Sequence, residues 1–255
     1  MFNLFKSELY RISKLKSFWI LTVVLLALGQ IAPNMSASVN ETRLSTGTGT
    51  TAAQGFLDSL GSPMFYLIIL VIFITYYICA GFEQRTVQDS IAAGGGRGKI
   101  LVSKALGVYS VAFVMMLVYS LSYTIAIMYT KGGGLGFQGD VIIRMILAFF
   151  TIFIQNISQA TLIILVAFAL KKVGTVMAIG VCTFSVGILT LNFATTEYTW
   201  LAQIVKFSPF AGGGSVTAGF SAPYVDYFMI ILIGLVWIVG FLAVTHLNFH
   251  KAELR

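Results

Sequence analysis

Six apolar runs dominate this chain, at residues 18–35, 63–82, 105–129, 141–169, 173–192 and 227–247. Each is close to or above the roughly 20 residues that a helix needs to cross about 30 Å of hydrocarbon. The alternating segments of about 10 residues that build a membrane barrel are missing. The predicted fold class is therefore an all-α membrane protein with six transmembrane helices in a single domain spanning residues 1–255. Composition agrees, with 58% of the 255 residues hydrophobic and only 10% charged, against about 25% charged in a soluble domain. So much apolar surface cannot be hidden in one core, and lipid must cover it.

The basic residues sort between the runs. Lys6, Arg11, Lys14 and Lys16 precede the first, Arg85, Arg97, Lys99 and Lys104 lie between the second and third, Lys171 and Lys172 join the fourth to the fifth, and Lys251 and Arg255 follow the sixth. Of the 16 lysines and arginines, Arg43, Lys131, Arg144 and Lys206 fall elsewhere. Lysine and arginine mark the cytoplasmic side of short loops, so both termini and the segment between the second and third runs are expected in the cytoplasm. The net charge of +7 comes from these flanks, and no nucleic-acid partner is expected.

The lead has the outline of a signal peptide: basic residues, a short apolar stretch and a small-residue MSASV behind it. It is nevertheless patterned in its own right. Phe2, Phe5, Leu9 and Ile12 form one helical stripe with Lys6, Ser13 and Lys14 off it, so residues 1–17 are expected to stay attached as an amphipathic helix in the headgroup layer. Residues 36–62, rich in Ser, Thr and Gly, are expected to form a mobile outer loop. Residues 193–226 are expected to form a second outer region, with a short interfacial helix over EYTWLAQIVKF, a stop at Ser208-Pro209, and Trp200, Tyr198 and Tyr224 at headgroup level.

The stretch AAGGGRGKI at 92–100 invites a nucleotide-binding reading. A phosphate-binding loop needs Gly, four spacers, Gly-Lys and then Ser or Thr. Here Ala93 stands where the first glycine belongs and Ile100 where the hydroxyl belongs, so phosphate binding is excluded. The surrounding segment offers another use. Glu83 and Arg85 stand at the membrane edge, and Thr86, Val87, Gln88, Asp89, Ser90 and Ile91 make about two helical turns with Val87 and Ile91 at i and i+4. Gly94–Gly96 stop the helix, and Arg97, Lys99 and Lys104 lead into the third run. A plain basic loop would satisfy the charge rule equally well; the order of the whole segment argues for a short helix lying outside the membrane over 85–97.

Polar residues inside the runs concentrate in the fourth. Thr151, Gln155 and Gln159 share one helical face, Asn156 lies beside them, and Arg144 sits toward the outer end. Amides in hydrocarbon must face protein or water. They form the wall of a substrate path or a dimer seam, or they bond neighbouring helices at roughly 0.6–2 kcal/mol each. Cys79 and Cys182 fall inside apolar runs and read as small buried hydrophobes, with no disulfide framework or metal spacing. His246 and His250 stand four apart but lack the glutamate of a zinc-protease helix, since Leu247 follows the first.

The order Glu83, Arg85, Thr86, a short helix, Gly94, Arg97, Ser103 and Lys104 resembles the permeases of the type-2 ABC exporter family, particularly the six-helix subunits of lantibiotic-immunity and peptide-toxin exporters. SELYRISKLKS in the lead is similar to that family's cytoplasmic elbow helix, and FSPF at 207–210 to its Ser-Pro-Phe before the last helix. The run Gly94-Gly95-Gly96 is softer than the family's usual turn. The resemblance covers the whole chain in topology. It implies a bacterial cytoplasmic membrane and a separate ATP-binding subunit that carries ATP and Mg, so this chain would hold no cofactor and no catalytic residue. It implies a second permease copy, identical or a sister, and an amphipathic peptide, toxin, antimicrobial or lipid-like substrate. It makes 85–97 the coupling helix seated on the ATPase. The alternative is a secondary transporter or channel for a small hydrophobic solute. That would favour acidic or basic groups within the membrane, whereas the nine acidic residues fall at or outside the expected edges. An intramembrane enzyme finds no motif here.

Overall fold

The protein is described here by a computed structural model that covers residues 2–35, 51–61, 64–84, 86–92, 96–131, 139–197, 207–210, 216 and 223–251. Among these the chain is all-helical, without a strand. The helices are α1 (Phe2–Lys14), α2 (Lys16–Met35), α3 (Ala52–Gly61), α4 (Met64–Glu83), α5 (Thr86–Ala92), α6 (Arg97–Lys131), α7 (Gly139–Leu170), α8 (Val173–Glu197) and α9 (Tyr224–Lys251). Five of them contain segments long and apolar enough to cross a membrane: Lys16–Pro33, Met64–Glu83, Arg97–Thr130, Gly139–Leu170 and Tyr224–His250. The run at 173–192 falls in α8, whose apolar part among the described side chains is the shorter Val173–Ser185.

Two helices form the centre. α4 is apolar on every side, and Tyr66, Leu70, Phe73, Ile74 and Ile78 are all buried. It packs against α2, α5, α6, α7 and α8. α6 gathers α1, α2, α3, α4, α7 and α9 around its length. α2 and α9 lie outside and turn much of their apolar surface outward, as with Trp19, Val23, Phe228, Leu232 and Val236. Apolar stripes of this kind are unusual on a soluble monomer and suit hydrocarbon.

Close helix approach depends on small residues, as expected where lipid supplies no hydrophobic drive. A Cβ on Gly29 of α2 would stand 2.8 Å from Ser122 Cβ of α6. At that contact Gln30 Nε2 donates to Ser122 O (3.0 Å) and Ser122 Oγ donates to Leu26 O (2.7 Å). The same device seats α9 on α7, where a Cβ on Gly234 would meet Ile154 Cγ2 at 2.8 Å.

Three expectations change. Part of the expected mobile loop is the helix α3, with Ala52, Ala53, Leu57 and Leu60 buried against α6 and α7. Thr51 caps it by accepting from Gln54 N (3.2 Å), and Phe56, Leu57 and Leu60 supply an apolar face that the polar composition of the loop conceals. The lead helix differs in part. Ile12 of the expected stripe is only 3% exposed and Leu4 and Leu15 pack on the bundle near it, whereas Phe5 and Leu9 are half-buried and Lys6, Tyr10 and Lys14 face outward. Finally, Cys79 is buried as expected, but Cys182 is exposed on α8.

Candidate functional site

The short helix α5 sits between the two central spans, and its start is tied by side chains to two other elements. Glu83 and Gln84 are exposed at the end of α4. Arg85 and Gly94 lie outside the described residues. Thr86 opens α5, and its Oγ1 donates to Gly81 O, one of the last carbonyls of α4 (3.0 Å). The same oxygen accepts from Arg11 Nη1 of α1 at 3.3 Å. Val87 is fully buried, and Ile91 packs against the same core one turn on. The i, i+4 pair therefore faces the bundle, leaving half-buried Gln88 nearer the surface. Asp89 and Ser90 lie within the helix, with their side chains outside the description.

Beneath this corner is a charged cluster that pattern reading missed. Lys104 of α6 is 2% exposed, and its Nζ lies 3.3 Å from Glu8 Oε1 of α1 and 4.8 Å from the centre of the Tyr77 ring. Tyr77 OH donates to the other carboxylate oxygen at 2.5 Å. An ammonium this deep requires an anionic partner, and Glu8 is turned inward on an otherwise cationic helix to meet it. One signal was present: Glu8 is the sole acidic residue of the lead. Gly107 makes room, since a Cβ there would stand 3.1 Å from Ile12 Cδ1 and 3.2 Å from Tyr77 OH.

Arg97 closes the far side of the corner. From the first residue of α6 its Nη1 donates to Phe249 O (3.1 Å) and His250 O (2.8 Å), both at the end of α9. Phe249, Phe82 and Phe168 stack edge to face around the tie, at 5.2–6.3 Å between ring centres. This joins the ends of α9, α4 and α7. His246 and His250 stand 5.3 Å apart, and among the described residues no cluster of three or more metal-ligating side chains forms.

The amide face of α7 is also assembled, with a backbone carbonyl as its partner. Gln159 Nε2 (2.9 Å) and Gln155 Nε2 (3.5 Å) both donate to Pro209 O. The acceptor is a turn, Phe207–Phe210, seated about halfway along α7. Two more of its polar groups are met: Trp237 Nε1 of α9 donates to Phe207 O (2.8 Å), and Phe210 N donates to Ser208 Oγ (3.3 Å). Irregular backbone at that depth is tolerated only when buried in protein or lining a cavity, and proline has no N–H of its own to satisfy. This part of the expected outer region therefore reaches into the bundle. Asn156 Nδ2 contacts Met116 Sδ (3.7 Å), and Thr151 Oγ1 donates to Leu147 O within its own helix. Arg144 stacks on Tyr224 of α9 (5.0 Å). Ser158 Oγ and Gln159 Oε1 are buried with no hydrogen-bond partner among the described residues, so the face retains polar capacity there.

No protein-family model matches this chain, and no curated protein matches it in sequence.

Proposed function

We propose that this chain is the membrane permease subunit of an ATP-driven ABC exporter for amphipathic peptides, toxins or antimicrobials. In this reading α8 completes six crossings, the α5 end of the bundle is cytoplasmic, α1 is the elbow helix and α5 is the coupling helix. Two permease copies work with two ATP-binding subunits, which hold ATP and Mg. The observation that carries the reading is the placement of α5. It is a short helix between two long apolar spans, with its apolar pair Val87 and Ile91 turned into the bundle and Glu83, Gln84 and Gln88 left toward the surface. A rod held in that way passes a push on its outer face to α4 and α6 as rigid-body motion. ATP shifts the bundle only as far as its two states differ in their ATPase contacts. The amide face of α7 and the turn that covers it are the polar part of the substrate route.

The test is co-expression with an ATP-binding chain encoded in a neighbouring reading frame, followed by purification and an ATPase assay with cationic amphipathic peptides. The expected result is a stable complex whose hydrolysis is stimulated by peptide, with stimulation lost in Glu83→Ala and Arg85→Ala while the membrane subunit stays folded. Failure of any such chain to co-purify, or wild-type stimulation in both variants, would refute the coupling assignment.

A further inference from the structure

The corner between α5 and α6 is fastened to α9, a helix remote from it in sequence. Arg97 bonds the last carbonyls of α9, where the helix terminus leaves acceptors open and a guanidinium is the donor best suited to two of them. The contact is close on the backbone as well, because a Cβ on Gly98 would stand 3.0 Å from His246 Nε2. Phe249, which carries one of the bonded carbonyls, is locked between Phe82 and Phe168. From there α9 runs without a proline to Trp237, about 18 Å along the axis. Trp237 holds Phe207 O, and the same turn is held from the other side by Gln159 on Pro209 O.

We propose that Arg97 is a positioning residue that makes α9 a second output of the connector, so that displacement of α5 reaches the Phe207–Phe210 turn through α9 as well as the bundle through α4 and α6. This rests on the transport reading for the source of the displacement, but the tie itself is a property of the single chain. Stiff helices pass on axial and lateral shifts when their ends are bonded. From Arg97 onward each junction along the route is a hydrogen bond to a backbone carbonyl, so helix position rather than side-chain rotation is what it conveys.

The test uses the full chain in lipid nanodiscs with Cys79→Ala and Cys182→Ser, and spin labels on three engineered cysteine pairs. Lys99→Cys with Leu247→Cys reads the tie. Ile143→Cys with Phe207→Cys reads the turn against α7. Val23→Cys with Leu121→Cys reads the α2–α6 packing as a control; all the labelled side chains are exposed. Arg97→Gln is expected to leave the control distance distribution unchanged and to make the other two roughly twice as wide, as local opening does. Arg97→Lys, which can still donate to one carbonyl, is expected to narrow both again. The inference is overturned if the turn pair stays narrow in Arg97→Gln, whether or not the tie pair broadens, or if the control pair broadens with them. Failure of the transport reading shows elsewhere, as the absence of an ATP-binding partner, and leaves these distances unaffected.

Discussion

Removing Glu8 should uncover the cost of the buried Lys104. The carboxylate is the nearest anion to an ammonium that is 2% exposed, at 3.3 Å. Breaking a buried pair from one side costs about 3–5 kcal/mol, because a charge is left without compensation. Two features of the site argue for the low end. The Glu8 side chain is itself 12% exposed, so water is close. In addition, α1 can swing away and let water reach Lys104, which limits the loss to the undocking energy of α1. Glu8→Leu is therefore expected to lose about 3 kcal/mol. At about 2–4 °C per kcal/mol for a chain of this size, the melting temperature should fall by ~6–12 °C. Lys104→Met leaves the carboxylate bonded to Tyr77 and nearer to water, and should cost less. The double variant Glu8→Leu/Lys104→Met replaces the pair by apolar volume, a change that is often neutral or stabilising. It should melt above Glu8→Leu.

Cys79 supplies the assay. It is buried two residues beyond Tyr77, whereas Cys182 is exposed. In a Cys182→Ser background a thiol-reactive fluorophore therefore reports the opening of this part of α4 as temperature rises. The reasoning would be falsified if Glu8→Leu melted within a degree or so of the parent, or if the two single losses simply added in the double variant. Additivity would mean that the groups do not sense each other.

Other expectations follow from the packing and the caps. Gly234→Leu forces a side chain into Ile154, and overpacking of that kind costs about 1–3 kcal/mol. Gly240→Ala, with nothing within 4 Å, should gain up to about 1 kcal/mol from helix propensity, so the two variants should melt on opposite sides of the parent. Thr51→Ala removes the cap of α3 and should lower stability by about 1 kcal/mol, with faster hydrogen exchange confined to 52–61. Gln159→Leu removes the shorter of the two amide bonds to the buried Pro209 carbonyl. A loss of about 1–3 kcal/mol is expected, with faster exchange at Phe210, whose N–H belongs to the same turn; unchanged exchange there would show that Gln159 does not hold the turn.

Five long apolar helices were legible because their signal is composition over long windows, and neighbours have little power to override it. The short helix at α5 was legible from Thr86, the Val87–Ile91 pair and the glycines behind them. What escaped is of another kind. α3 hides behind a Ser/Thr/Gly-rich average, and its helix signal lies in the local details Thr51, Gln54 and Leu57. The docking of Ile12 on the bundle escaped because one amphipathic stripe fits lipid and protein equally; Glu8 points to it, but only once Lys104 is known to lie beneath it. The partner of Gln155 and Gln159 escaped because it is a backbone carbonyl about fifty residues downstream, and backbone acceptors leave no trace in residue identity.

Lys104 also bears on the orientation argument. Counting lysines and arginines treats each as a hydrated charge resisting passage across the membrane. Lys104 is neither hydrated nor unpaired, because Glu8 faces it, and together the pair carries no net charge. Striking it from the count leaves Lys6, Arg11, Lys14, Lys16, Arg85, Arg97, Lys99, Lys171, Lys172, Lys251 and Arg255 flanking the spans at one end, and Arg43, Lys131, Arg144 and Lys206 with the other. Arg144 is itself taken up by stacking on Tyr224, which weakens the opposing side as well. The asymmetry therefore survives the loss of its most ambiguous member, and a cytoplasmic α5 does not depend on Lys104. A reporter fused after residue 251 would decide it: activity only on the outer side of the membrane would reverse the assignment and remove α5 from reach of any cytoplasmic ATPase.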